Sequence, residues 1–451
     1  MNGMTQGERK ATTALASIFA LRMLGLFMII PVFAVYGQQL TGSTPFLIGL
    51  AIGIYGLAQA VLQIPMGLLA DRFNRKYLII FGLLLFAIGG GVAAMSNSIW
   101  GVIAGRAIQG AGAISAVVMA LLADLTREEQ RTKAMSTIGM SIGLSFAVAF
   151  IIGPLIAGYF GLSGLFWATS ILAILALALL KIVPQPTIIL KQHNDSYWQQ
   201  FNQCLIHPEL LRLNIGILVL HLVMTASFVL LPHLLIDYAH LPATAHGWVY
   251  LPIVLGGFIA AVPAIIIAEK RKKMKQVFMF GIALMTLSLL LLAQGYDRYF
   301  SLLLGISLFF VAFNLLEALL PSLLSKIAPA GSKATAMGIY ASSQFFGAFL
   351  GGICGGLLWS YHYISVAYLL LALCGVFWLI VACTMKNPRS LHSMMLNIPE
   401  CDSSKANTLL KKLQMITGVE EVVILAKEGV VYLKIDKNLF NEQQLKNTLS
   451  V

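Results

Sequence analysis

Charge is what this sequence has least of. Lys, Arg, Asp and Glu make up 11% of its 451 residues, against about 25% in an ordinary soluble domain. With 59% hydrophobic residues, that scarcity excludes a water-facing globular fold and leaves a membrane-embedded chain. Cysteine is also sparse. The five residues Cys204, Cys354, Cys374, Cys383 and Cys401 are odd in number and form no CxxC or Cys/His cluster. Neither a disulfide framework nor a metal site is expected. No GxxxxGK[ST] loop occurs, so nothing points to a nucleotide-driven pump, and no cofactor is expected.

In place of charge there are long apolar runs. Stretches of spanning length fall at roughly 12–37, 46–70, 77–96, 98–122, 134–159 and 163–183, then 210–237, 243–268, 275–294, 298–325, 334–358 and 362–385. This reads as an all-α membrane protein with twelve transmembrane helices in two six-helix halves, 1–183 and 210–386, joined by a polar-leaning cytoplasmic linker, 184–209. Arg9 and Lys10 precede the first run as in a signal peptide. That run continues to about Tyr36, however, beyond the roughly 7–15 residues of a signal core, so a retained first helix is expected.

The formal net charge is +12. In a soluble chain it would suggest nucleic acid. Here the Lys and Arg residues gather at alternate ends of the runs, with Arg298 the exception among the other loops, so the excess is a topology signal. It places both termini in the cytoplasm and argues against a nucleic-acid partner.

GxxxG spacings stand in the second, fifth and eleventh runs, at Gly49/Gly53, Gly139/Gly143 and Gly347/Gly351/Gly355. Gly256/Ala260 repeats the pattern weakly in the eighth. Small residues four apart let helices approach closely. Recurrence at every third run suggests repeated three-helix units; ordinary helix packing is the alternative.

Beyond about Ser390 the pattern changes to strand, helix, strand, strand, helix. Leu409, Leu410, Leu413 and Ile416 share one helix face, and Gly429 marks a hairpin. This βαββα order resembles a small α+β ferredoxin-like unit without its last strand, spanning 390–451. A regulatory ligand or a self-contact is the role open to it.

The residues that bear chemistry are few. "GLLADRFNRK", residues 67–76, concentrates Asp71, Arg72, Asn74, Arg75 and Lys76 between two apolar runs. Topology anchoring explains the basic residues but not Asp71, an acid at a membrane edge that needs a partner. Gly67, one turn earlier, permits close approach of another helix. Arg22, Arg106 and Glu317 lie inside apolar runs, where an ionisable group is costly and functional by default. Arg106 shares a face with Gln109, and Glu317 has Asn314 one turn away. Asp237, between His233 and His240, stands at the outer end of the seventh run. His221 lies deeper and alone, which reads as a packed polar residue. Gly153-Pro154, with Gly158, is expected to kink the fifth run.

The 67–76 stretch resembles the G-x-x-x-D-R-x-G-R-K signature of the major facilitator superfamily. Gly67, Asp71, Arg72, Arg75 and Lys76 match it, and Asn74 replaces a glycine; asparagine also tolerates positive φ. The resemblance implies a conformational latch in which Asp71 meets the start of the eleventh helix near Ala334 and Arg75 pairs with Asp124, joined by Arg127. "GRAIQGAG" resembles the family's R-x-x-x-G-x-G motif, associated with proton coupling, and "GPLIAG" resembles the end of the motif of drug–proton antiporters. Together these imply a proton-coupled secondary transporter in a bacterial inner membrane. It would export small drug-like or amphipathic molecules by alternating access, with the bilayer, the substrate and protons as its partners. A metabolite symporter or uniporter, or a membrane sensor with the C-terminal domain as its output, are the other readings.

Overall fold

The structure is a computed structural model that describes residues 3–184, 197–329, 332–387, 392–397, 403–425, 430–435, 439–441 and 444–445. The helices are α1 (Gln6–Tyr36), α2 (Pro45–Arg72), α3 (Arg75–Met95), α4 (Ile99–Ala111), α5 (Ser115–Asp124), α6 (Glu128–Leu180) and α7 (Tyr197–Ile206). They continue with α8 (Pro208–Asp237), α9 (His246–Lys270), α10 (Met274–Gly295), α11 (Tyr299–Ile327), α12 (Lys333–Ser360) and α13 (Ile364–Cys383). Local sequence sets several starts. Thr5, Thr44, Asn74, Ser98 and His207 each accept a hydrogen bond from a first-turn amide, and Pro45 and Pro208 occupy first positions where no amide donor is needed.

Among the described residues eleven helical segments are long and apolar enough to cross a membrane. One of them hides a reversal. The 53 residues of α6 would extend about 80 Å as one rod, more than twice the roughly 30 Å of a hydrocarbon core. Gly161, at φ 65° and ψ −170°, breaks the run. Before it, Ser141, Ser145 and Gly153 meet Ala16, Ala20 and Met28 of α1 in ascending order. After it, Ser163 and Ser170 donate to the carbonyls of Ala94 and Ala87 of α3 in descending order. The ends of α1 and α3 lie together, since the Thr41 amide donates to the Asn97 carbonyl. The chain therefore turns back at Gly161, and the expected fifth and sixth helices fall on its two legs.

The fourth span is broken as well. Gly112 leaves the helical region at φ −72°, ψ 51°, which separates α4 from α5. The linker also holds a helix that its polar composition concealed. α7 packs against α8 and α12, with Cys204 fully buried and its Sγ 3.9 Å from the Ser332 carbonyl.

Glycines decide which helices touch most closely. A Cβ on Gly53 would lie 2.7 Å from the Phe349 carbonyl oxygen, and one on Gly56 would lie 2.6 Å from that of Phe345. Gly49 abuts Gly352 and Gly356. α12 thus presents Gly352 and Gly356 to α2, and Gly347, Gly351 and Gly355 to Leu218, Leu222 and Ala226 of α8. The fifth and eighth runs do not follow this pattern. Gly139, Gly143 and Gly256 have no neighbour within 4 Å of an added Cβ, and Gly257 instead faces Phe310 and Val311. A GxxxG spacing makes a smooth helix face; whether another helix lies on it is settled by the remaining packing.

The tail contains β1 (His392–Asn397), α14 (Ser403–Gln414), β2 (Val419–Leu425) and β3 (Val430–Ile435). β3 lies between β1 and β2 and is antiparallel to both. α14 packs on β2, and Leu413, Ile416, Val422, Val431, Leu433 and Ile435 form a small core. The expected second helix of this unit, Gly429 and Cys401 lie largely or wholly outside the described residues.

Candidate functional site

The ends of the helices define two faces. The α1–α2 connection marks a distal end, and the α2–α3 connection marks a basic end, where most of the core's Lys and Arg residues lie. At the basic end Arg75 joins three elements. Its Nε donates to the Ala70 carbonyl (3.2 Å), its Nη1 donates to the Ala120 carbonyl (3.2 Å), and it forms an ion pair with Asp124. Lys76 donates to the Val183 carbonyl, which fastens α3 to the end of α6. Asn74 has φ −61° and accepts from the Lys76 amide at 3.0 Å. The turn needs no left-handed residue, so asparagine serves here as a helix cap rather than as a stand-in for glycine. Arg127 bonds Glu8, with Nε–Oε1 at 2.9 Å and Nη2–Oε2 at 3.0 Å, and its backbone amide donates to the same carboxylate. Glu8 carries no signal in sequence beyond its place three residues after Thr5. The side chains of Asp71 and Arg72 lie outside the described residues. The close helix approach expected at Gly67 is not present, since an added Cβ there meets only Ala116, at 3.7 Å.

Higher in the core, both arginines are buried among backbone carbonyls and neutral groups. Arg22 donates to the Gly112 carbonyl (2.9 Å), to Tyr55 Oη (3.1 Å) and to Ser115 Oγ (3.1 Å). The break between α4 and α5 frees that carbonyl, and Arg22 satisfies it. Arg106 donates to the Ala51 carbonyl (3.3 Å) and to Gln109 Oε1 (3.2 Å), and it lies 4.8 Å from the Tyr55 ring centroid. Gln109 in turn donates to Thr169 Oγ1 at 3.0 Å. Tyr55 and Gln59 complete this layer and were not singled out from sequence. Gln59 donates to the Gly110 carbonyl at 2.9 Å and is fully buried. An amide at such depth in an apolar run was the available signal.

Glu317 belongs to a second cluster on α8, α11 and α12. Gln344 Nε2 donates to Glu317 Oε1 at 3.3 Å and lies 2.8 Å from His221 Nε2. His221 Nε2 is 3.9 Å from Glu317 Oε2, which is buried without a hydrogen-bond partner among the described residues. His221 is therefore not the isolated packed residue expected from sequence. Asn314, expected beside the carboxylate, donates instead to the Val254 carbonyl of α9 at 3.3 Å. Asp237 is the exposed last residue of α8, about 24 Å along the helix from His221, so it does not line this cluster. His233 stacks on Trp359 with centroids 4.1 Å apart.

On the distal side of Glu317 the interior is aromatic. Phe146 and Phe150 of α6 contact Phe313, Phe310, Phe228 and Tyr250 of α11, α8 and α9, with centroids 5.3–6.1 Å apart. The Gly247 of α9 packs on Phe150 and Ile151, and Gly158 faces Thr244. Toward the basic end the same helices part, leaving Gly139, Gly143 and Gly256 without neighbours. α2 and α12 behave alike, closed at Gly49 and Gly53 and apart at Gly67 and Gly338. The Glu317–Gln344–His221 cluster therefore lies between a distal seal and an opening toward the basic end. The expected kink at Gly153-Pro154 is not a break, because backbone angles stay helical there and depart only at Gly161. Gly153 instead admits the Met28 carbonyl of α1, 2.5 Å from an added Cβ.

Comparison with known proteins agrees with this architecture. The family model described as Major Facilitator Superfamily matches residues 15–352. The inner membrane transport protein YajR of Escherichia coli is 47% identical over 449 residues, covering 99% of this chain and 98% of its own. The multidrug resistance protein MdtH of Yersinia enterocolitica is 25% identical, covering 83% of this chain and 94% of its own. A solved D-xylose–proton symporter superposes with a TM-score of 0.70 at 15% identity, over 84% of this chain and 98% of its own.

Proposed function

The chain belongs to the Major Facilitator Superfamily, and from that premise we propose that it is a proton-coupled antiporter exporting small amphipathic molecules across a bacterial inner membrane. Two six-helix halves, 1–183 and 210–386, rock about the central opening and alternate its access. Both termini face the cytoplasm, so the basic end is the inner face and the present conformation is inward-open. The proton gradient supplies the energy, with no cofactor. The tail acts as a ferredoxin-like cytoplasmic domain that regulates the core, and strand order β1-β3-β2 supports that reading.

One observation carries the proposal: the buried oxygen of Glu317 without a hydrogen-bond partner, beneath an aromatic seal and on the open side of it. A carboxylate in that position can exchange a proton with one compartment at a time and holds a different charge in each protonation state. Asp71 acts as the latch of the opposite, outward-open state by meeting the start of α12, and the Arg75–Asp124 pair, already formed here, holds the α2–α3 turn in place for it.

The test is transport in proteoliposomes. Candidate organic cations and neutral amphiphiles are added under an imposed pH gradient, and proton movement is recorded with substrate flux. Antiport requires proton and substrate to move in opposite directions. Movement in the same direction would establish a symporter, and flux indifferent to the gradient would remove proton coupling altogether.

A further inference from the structure

A cleft of about 370 Å³ opens between the first few turns of α1 and α6 at the basic end, lined by Met4, Arg9, Thr12, Thr13, Lys133 and Thr137. Its position follows from the helix contact. α1 and α6 are joined by Ser141 and Ser145 donating to the Ala16 and Ala20 carbonyls and, at their starts, by the Glu8–Arg127 bonds, and the cleft lies between these two contacts. Two cations, Arg9 and Lys133, stand on opposite walls, and neither has an ion-pair partner among the described residues. The carboxylate nearest Arg9 in the chain, Glu8, is engaged by Arg127. Thr12 is 3% exposed, and its hydroxyl has no hydrogen-bond partner among the described residues. Thr137 donates its hydroxyl to the Lys133 carbonyl, so its role in the cleft is as a wall.

We infer that this cleft binds a phosphate group through Arg9, Lys133 and the Thr12 hydroxyl. A buried hydroxyl without a partner calls for one, and charge-assisted donors from two sides suit a tetrahedral oxyanion better than a flat carboxylate. The cleft lies where the apolar runs of both helices begin, at the depth of lipid headgroups, and basic pockets between helices at that level take anionic headgroups. The same chemistry accepts a free phosphate. The inference is independent of the transport reading, since the cleft shares no residue with the Glu317 cluster.

The full-length protein, purified in detergent, is offered phosphatidylglycerol, phosphatidylcholine or inorganic phosphate, each at matched ionic strength. Lipid retention is read by native mass spectrometry and phosphate binding by thermal shift. The parent is compared with R9Q/K133Q, with Thr12→Val, and with K270Q/R271Q, which removes the same charge elsewhere on the basic end. Phosphatidylglycerol retained by the parent and by K270Q/R271Q, lost at least tenfold in R9Q/K133Q and weakened in Thr12→Val, identifies a lipid headgroup site. A phosphate shift with the same variant pattern but no lipid retention identifies a free phosphate. Equal binding by R9Q/K133Q and parent, equal loss in both charge-removal pairs, or no binding of either probe overturns the inference. Arg9 and Lys133 are exposed, so the double variant keeps its fold, and its unfolding curve without ligand checks this.

Discussion

Gly49 of α2 and Gly352 of α12 lie backbone to backbone, so that a side chain on Gly49 would run into the Gly352 carbonyl. With Gly53 against Phe349, this contact closes the distal end. Gly49→Leu should cost about 1–3 kcal/mol in the distal-closed state through overpacking and shift the population toward the distal-open one. Spin labels at Ser43 and His362 should report longer separations than in the parent. An unchanged distance distribution would show that the contact is incidental to closure.

Glu317→Gln retains an oxygen that can accept from the Gln344 amide but cannot hold or release a proton. Flux driven by a pH gradient should fall to background, while exchange of labelled for unlabelled substrate continues. Full gradient-driven flux in the variant would dismiss Glu317 as the proton carrier.

Asp124→Asn removes the carboxylate with which the Arg75 guanidinium pairs, in a pair whose side chains are 13% and 9% exposed. Removing one member of a buried pair costs about 3 kcal/mol. Thermal unfolding in detergent should drop by several degrees, with Asp124→Glu recovering part of the loss. No change in unfolding temperature would contradict the central place given to this pair.

At Asn74 two substitutions separate two explanations. Because Asn74 caps α3 at φ −61°, Asn74→Ala should destabilise by about 1 kcal/mol and Asn74→Gly by only a few tenths. Were a left-handed turn the requirement, glycine would stabilise instead.

Deleting residues 390–451 should leave substrate flux measurable in proteoliposomes, because the core helices α1–α13 pack among themselves. Complete loss of flux in a folded truncation would favour a tail that is part of the working machine rather than its regulator.

Reading the helices from sequence succeeded where chemistry is local. Runs of apolar residues mark the spans, and hydrocarbon thickness sets their length. The Arg75–Asp124 pair was visible only through resemblance, since 49 positions separate its members and no spacing rule links them. Glu317 was legible as a charge in an apolar run. Its neighbours were not, because His221 and Gln344 come from two other helices and Asn314, the nearer residue in sequence, turns to Val254. The GxxxG runs show the same limit, with α2 and α12 in contact through theirs and α6 leaving its own without a neighbour.

By itself, then, the sequence determined that the chain enters a membrane, how many times its apolar runs can cross, and which end collects positive charge. Each of these follows from transfer free energies that depend on composition alone. Only the tertiary structure decided that Gly161 turns the chain back, that α12 serves α2 and α8 with two separate glycine faces, and that the opening lies at the basic end. These depend on which helix surfaces meet, and that is a property of the whole packed assembly.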